Sequence, residues 1–209
     1  MPSSGSGTGT PASSSGARSG MLNLILRLRG MTETTDADYD LGDETYWSDL
    51  HLQDILDLYR EDISLHELYG VREYSGSESI WKDYPIGAQN LEDASSNAGN
   101  VVAWSLVDSA GDEVSSSDYT VDYVTGLIRF DADTSGVVYY LRARTYSLNR
   151  AAADVWRRKM AHTASLYNFS TEGQSFQRAA WFEHCREMVA FYEGQGGMSV
   201  SSFYRSDLA

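Results

Sequence analysis

A single cysteine, Cys185, stands among the 209 residues, so no disulfide can form within the chain. It falls on an apolar helix face in the pattern described below, where a buried, inert thiol is expected. That usage fits synthesis in a reducing compartment. Lysine is nearly missing too: Lys82 and Lys159 are the only two. Basic residues number 16 against 30 acidic ones, giving a net charge of −14 and a pI of about 4.5. A chain of this balance lacks the basic footprint that neutralises phosphates, which excludes nucleic-acid binding driven by charge. The acidity is read first as a solvated surface. No apolar run approaches the roughly 18 residues of a membrane span. The apolar stretch 21–28 is short, is broken by Arg27 and precedes no small-residue cleavage site, so a signal peptide is not expected.

Catalytic signatures are lacking as well. There is no Gly-rich phosphate loop and no GxSxG elbow. The four histidines, His51, His66, His162 and His184, form no HExxH pair. His184 and Cys185 are adjacent, so on a helix they point about 100° apart and do not share an ion. Two acidic segments resemble calcium loops at first sight. Counted from Asp36, the sixth and twelfth positions hold Leu41 and Trp47, where an EF-hand needs glycine and glutamate. Counted from Asp131, Gly136 fits the sixth position but Arg142 occupies the twelfth. A solvated linker and an Asx turn between strands account for the two segments. No metal, cofactor or catalytic residue is expected, and the chain is read as not an enzyme.

At 42% hydrophobic and 12% aromatic, the chain can build a core. Residues 1–20, almost all Ser, Gly, Thr, Ala and Pro, read as a flexible tail. A short helix is predicted over 21–29, ended by Gly30, then an acidic loop over 32–44. Ser48 is a candidate N-cap, with Trp47 before it and Leu52 four positions after it as a hydrophobic staple. Leu52, Ile55, Leu56, Tyr59 and Ile63 follow at helical spacing and predict a helix over 49–62. From residue 64 the period changes to two. Strands are predicted over 65–74, 101–107, 119–123, 127–130 and 137–144, with turns at Gly111, Gly126 and Gly136 and a long loop over 83–100. Turn-linked strands of this kind form an antiparallel sheet. The organisation is thus a tail (1–20), N-terminal helices (21–63), a β-rich insertion (64–147), a C-terminal helical hairpin (148–194) and a tail (195–209). The fold class is α+β: a helical bundle from both ends with an inserted antiparallel β-rich region.

The most informative stretch is the C-terminal hairpin. Ala152, Trp156, Met160 and Ala164 recur every four residues, with Val155 beside them, and make one apolar stripe. After a polar turn over 168–175, Phe182, Cys185, Val189 and Tyr192 make a second stripe. Trp181 and Met188 make a third, rotated from it on the same helix. A helix with two apolar faces needs two neighbours. The 14 tyrosines and 5 tryptophans suit a protein built into an assembly. Trp181, Met188, Phe203 and Tyr204 are therefore the expected contacts with partners. Arg157, Arg158 and Lys159 form the one local basic cluster. It is either the solvated side of its helix or a docking point for a carboxylate-rich neighbour.

Three segments carry a resemblance. The C-terminal one runs Ala151-Ala-Ala-Asp-Val-Trp-Arg-Arg-Lys, then Leu166-Tyr-Asn-Phe-Ser-Thr-Glu-Gly-Gln-Ser-Phe-Gln-Arg, then a helix ending Phe191-Tyr192. The others are Thr45-Tyr-Trp-Ser-Asp-Leu-His-Leu-Gln-Asp-Ile-Leu-Asp and Tyr119-Thr-Val-Asp-Tyr-Val-Thr-Gly-Leu-Ile-Arg-Phe. Together, and following one another along the chain in the family's order, they resemble the head–tail connector (adaptor, head-completion) proteins of tailed viruses and bacteriophages. The resemblance implies a structural virion protein in the neck, made in the host cytoplasm. It implies a homo-oligomeric, dodecameric ring whose helical bundle meets the portal protein on one side and the next neck or tail protein on the other. Genomic DNA would pass through the channel without sequence-specific binding, and an acidic lumen would let it slide. A saline host would favour the same acidity. Two other functions stay open: a β-rich binding or decoration module of a virion, and a hydrolase built on a carboxylate pair.

Overall fold

The computed structural model describes residues 16–34, 40–41, 44–45, 47–98, 102–163, 169–171, 174–176 and 178–196. A 3-10 turn, Ser19–Met21, leads into α1 (Leu22–Thr32). A small hairpin, β1 (Asp40–Leu41) and β2 (Glu44–Thr45), precedes α2 (Asp49–Asp57). Seven strands follow: β3 (Arg60–Leu68), β4 (Val71–Ser75), β5 (Glu78–Pro85), β6 (Trp104–Val107), β7 (Tyr119–Asp122), β8 (Leu127–Phe130) and β9 (Tyr139–Tyr146). The chain then returns to helix in α3 (Leu148–Thr163). A second hairpin, β10 (Phe169–Thr171) and β11 (Gln174–Phe176), leads to α4 (Arg178–Gly196). The class is mixed α+β with antiparallel sheets, in the order β3-β9-β6 and β4-β5-β8-β7.

Local chemistry explains several of these boundaries. Ser48 is extended, and its side chain accepts from the His51 N–H at 3.2 Å, as an N-cap should. Trp47 and Leu52 are both fully buried around that cap. Gly126 turns β7 into β8 with φ +77, where a Cβ would lie 1.8 Å from the Ala88 carbonyl oxygen. Only glycine fits there, on both steric and conformational grounds.

Other boundaries depart from the sequence reading. Gly30 does not end α1. The helix runs on to Thr32, and Glu33 closes it in the left-handed conformation with φ 52, its N–H bonded to the Arg29 carbonyl. The second helix stops at Asp57, short of residue 62. Arg60 to Ile63 instead pair with Tyr146 to Ala143 of β9, and this ladder outweighs the helical spacing of Tyr59 and Ile63. The expected strand 65–74 is the end of β3 plus β4, which belong to different sheets and break at Gly70. The expected loop 83–100 begins inside β5, a strand that the alternation did not reveal. Both the acidic loop and the polar turn contain short hairpins.

Two cores result. Met21, Leu24, Ile25 and Leu28 of the first helix meet Leu52, Ile55 and Leu56 of the second. Ala151, Ala152, Val155 and Trp156, with Cys185, Tyr192 and Tyr146 from the end of β9, belong to that cluster. Leu68, Tyr84, Leu106, Ile128, Phe130 and Leu141 form a separate cluster between the sheets. Each fully buried Leu, Ile or Val contributes about 1.5–3 kcal/mol. Residues 18–20, counted with the tail in the sequence reading, belong to the folded unit, because Gly20 is buried and Arg18 is bonded on several sides. Deleting 1–20 therefore removes part of the folded domain, so the boundary of the tail lies before Arg18.

Candidate functional site

The expected partner-binding residues sit on the α3/α4 pair. Trp181 lies half-buried, 6.3 Å between ring centroids from Trp156 and 5.3 Å from His184. Met188 is also half-buried, and both residues pack against the helical core of their own chain. Within this subunit Cys185 and Tyr192 are buried in that core, and Trp181, Met188 and Val189 pack partly against it. The apolar residue that α4 does expose is Phe191, 53% accessible. The sequence pattern placed its buried neighbour Tyr192 on an apolar stripe and left Phe191 off it. Phe203, Tyr204 and Ala164 lie outside the described residues.

The basic cluster is not one patch. Arg157 pairs with Glu193 of α4, Arg158 pairs with Asp154 one turn earlier at 3.2 Å, and Lys159 turns inward. Lys159 is 3% exposed, donates to the Glu33 carbonyl at 3.1 Å and lies 5.0 Å from the Trp156 ring. A carbonyl and an aromatic face together offset part of the cost of burying that ammonium. Cys185 is fully buried, and burial pushes its thiol up, which suits an inert side chain.

The sheets offer surface of another kind. Among the described residues, β3 has β9 on one side and no strand on the other. Seven of its nine residues are exposed, in a row that carries Arg60, Glu61, Asp62 and Glu67. A bulge follows Ile63, where Leu65 is 52% exposed at φ 49, a conformation that a bulky residue seldom adopts. Charges and a bulge are the devices that keep an edge strand from open-ended pairing. The β4–β5 hairpin projects beyond β8, since only Asp83 to Pro85 of β5 reach that strand. Tyr69, Val71 and Tyr74 are exposed along it, Tyr74 most at 71%. Arg72 lies over both Tyr74 and Trp81, at 5.2 and 5.6 Å from the ring centroids. At Trp81 the turn 131–136 takes over as neighbour, for Asp133 Oδ1 accepts from the N–H groups of Trp81 and Ser135 at 2.8 and 3.1 Å. That is the Asx-type turn anticipated from Asp131 to Gly136.

The densest polar site lies where helices and sheets meet, and sequence reasoning missed it. Arg18 donates to both oxygens of Asp57 at 2.6 and 2.9 Å and to Glu92 Oε1 at 2.7 Å. Tyr146 Oη donates to Glu92 Oε2 at 2.6 Å, and Arg144 stands 3.6 Å away. Glu92 is fully buried. Burial pushes its carboxyl up, but hydrogen bonds from Tyr146, Ser96 and Arg18 outweigh that and hold it below the usual carboxylate range. The hydrogen bond to Asp57 raises the Arg18 pKa, and burial, then the Glu92 contact, raises that of Tyr146. These two carboxylates converge, yet Glu92 has no open side for a substrate. Arg18 sits in a stretch of low complexity, and its partners are 39 and 74 residues away, so no local signal marks it.

Among the described residues, no group of three or more His, Cys, Asp or Glu is placed to hold a metal ion. No described helix is long and apolar enough to cross a membrane. The chain matches no known protein-family model, and no curated protein is similar enough in sequence to count as a relative.

Proposed function

We propose that this chain is a structural protein of a tailed virus particle: a head–tail connector that assembles as a dodecameric ring between the portal protein and the next neck or tail component. Its role is mechanical. It extends the DNA channel and offers a docking surface, and genomic DNA passes through without sequence-specific binding. In this reading the helices of both ends form the family's bundle and the two sheets are the insertion. The acidic balance suits a lumen along which DNA slides.

The observation that carries the reading is the ordered, three-part resemblance. Its segments coincide with separate structural units: the α2 cap and helix, the β7–β8 turn, and the α3/α4 pair. Fold-level analogy bears much of this argument. Exposed Phe191 on α4 and the exposed edge of β3 supply surfaces from which a ring interface is built. Mass analysis of purified particles tests it. Finding the chain in virions at a fixed ratio to the portal protein supports the proposal, and its absence from them sinks it. A monomer in isolation does not, because such a ring can require the portal as template.

A second reading, a virion decoration or binding module, draws support from the projecting β4–β5 hairpin with Tyr69, Val71 and Tyr74. Labelling the chain and imaging particles separates the two. A label at the neck supports the connector, and a label on the capsid exterior or tail tip supports the module.

A further inference from the structure

The helical core and the sheet core are separate clusters, and the chain passes between them at two adjacent points. One is the Leu58–Tyr59 turn into β3. The other is Ser147, between β9 and α3. These points are bonded to each other, the Ser147 N–H donating to the Tyr59 carbonyl at 3.1 Å. Such a paired crossing has the form of a hinge.

At the junction, the N-terminal segment 16–21 lies across both units. On the helical side, the Arg18 N–H donates to Gln53 Oε1 at 2.7 Å, and its guanidinium forks onto Asp57. On the sheet side, Arg18 binds Glu92. Ser19 Oγ donates to the Ser95 carbonyl at 2.6 Å, and the Gly20 N–H donates to Ser96 Oγ at 3.1 Å. The loop carrying these acceptors belongs to the sheet unit: the Leu91 N–H bonds the Tyr123 carbonyl at 2.8 Å, and the Glu92 N–H bonds the Arg144 carbonyl at 2.9 Å. Contact is close. A Cβ on Gly20 would lie 2.4 Å from the Asp93 carbonyl oxygen. Two more contacts cross between the units: the exposed Arg27–Asn90 bond, and Tyr146 of β9, which packs in the helical cluster and whose hydroxyl also lies 3.4 Å from Asp57 Oδ1.

We propose that residues 16–20 are a releasable strap that locks the sheet unit onto the helical unit through Arg18. Its hold is polar rather than apolar. Ala17, Arg18, Ser19 and Gly20 precede the first large buried side chain, Met21. Water also reaches the lock, since the Arg18 and Asp57 side chains are 26% and 27% exposed. The lock is nevertheless specific, because a fully buried Glu92 without Arg18 loses its shortest charged contact and keeps the Tyr146 hydroxyl and the longer Arg144 pair at 3.6 Å. Closed, the arginine satisfies a carboxylate on each unit. Open, water must reach Glu92, which requires the two units to part at this junction. Anything that draws on the chain before Gly16 acts on Arg18 first. The device stands apart from the connector reading and needs no second copy of the chain.

Native-state hydrogen exchange of the full chain in rising urea tests this. In the wild type, the amides of Gly20 and of residues 92–97 should open together and before either core. In the Arg18→Gln variant, the sheet-core amides of Leu106, Ile128 and Leu141 should lose protection at lower urea than those of Val155 and Trp156. Proteolysis within the 86–98 loop should also be faster by about tenfold or more. Arg18→Lys, which keeps the charge but loses the fork, should fall between. If both cores of Arg18→Gln still open together at one urea concentration, the lock is refuted. Should that variant not fold, the wild type decides alone: strap amides that exchange only with global unfolding overturn the proposal.

Discussion

Tyr192, near the end of α4, donates its hydroxyl to the Met31 carbonyl oxygen at 2.9 Å, and Trp156 Nε1 donates to the same oxygen at 3.3 Å. Met31 belongs to the last turn of α1, whose carbonyls lack helical partners. One backbone oxygen thus ties the first helix to the last two. Tyr192→Phe keeps the ring and removes one of the two donors. It should cost about 1 kcal/mol, because Trp156 still satisfies the oxygen, and lower Tm by about 2–4 °C. Urea and thermal melts of the isolated chain read this directly. An unchanged midpoint would mean that the hydroxyl adds nothing.

Two glycines separate strain from collision. Gly76 and Gly126 both have positive φ, +67 and +77. A Cβ at Gly76 meets open space, whereas at Gly126 it meets the Ala88 carbonyl at 1.8 Å. Gly76→Ala should cost about 1–2 kcal/mol, the left-handed penalty alone. Gly126→Ala should cost several kcal/mol, since backbone must also move. Equal urea midpoints for the two variants would refute the reading of the β7–β8 turn.

Acid should destabilise the fold in two stages. Burial, with the Arg158 charge next, holds His51 below the ordinary imidazole value of 6.5. Its folded pKa is therefore below its unfolded one. The stability it confers is complete above about 6.5 and is lost as pH falls from there through the folded pKa. Glu92 follows the same sign at lower pH. Its folded pKa lies under the ordinary 4.5, so its contribution is present above that value and disappears as pH falls through the folded pKa. His51→Gln should flatten the upper stage of stability against pH, and Glu92→Gln the lower one. A profile of wild-type shape in either variant would contradict the assignment.

The α4 surface offers a division that assembly assays can read. Phe191 is exposed, so Phe191→Ser should leave monomer stability within about 0.5 kcal/mol and reduce incorporation of the chain into particles. Trp181 packs on Trp156 and His184, so Trp181→Ala should cost about 2 kcal/mol or more in the monomer. If Phe191→Ser chains enter particles at the wild-type level, this face of α4 is not part of the interface.

Much of the fold was legible because it rests on short-range physics. The Ser48 cap, the Trp47–Leu52 staple and the Gly126 turn each depend on residues a few positions apart. β8 was located to the residue by a turn on one side and alternating burial within it. The errors share a cause. Tyr59 and Ile63 continue a helical period, yet Arg60 joins β9, whose partner residues lie some 85 positions later. β5 was missed at its start because Glu78 to Lys82 border a half-exposed hairpin and show no clean alternation. For the candidate surfaces, Trp181 and Met188 were recognised as apolar on α4. Only packing shows that both lie partly against their own core while Phe191 is exposed.

The sequence by itself determined the class of fold, its antiparallel strands and its helical ends, since periodicity and turn chemistry act over a few residues. It also determined the acidic balance, a net charge of −14. Tertiary structure alone decided which edges stay open and how three adjacent basic residues part company. It alone decided that an arginine in a Ser/Gly-rich stretch closes on two carboxylates from different units. Those outcomes depend on contacts between residues distant in the chain, where burial and charge pairing outweigh local preference.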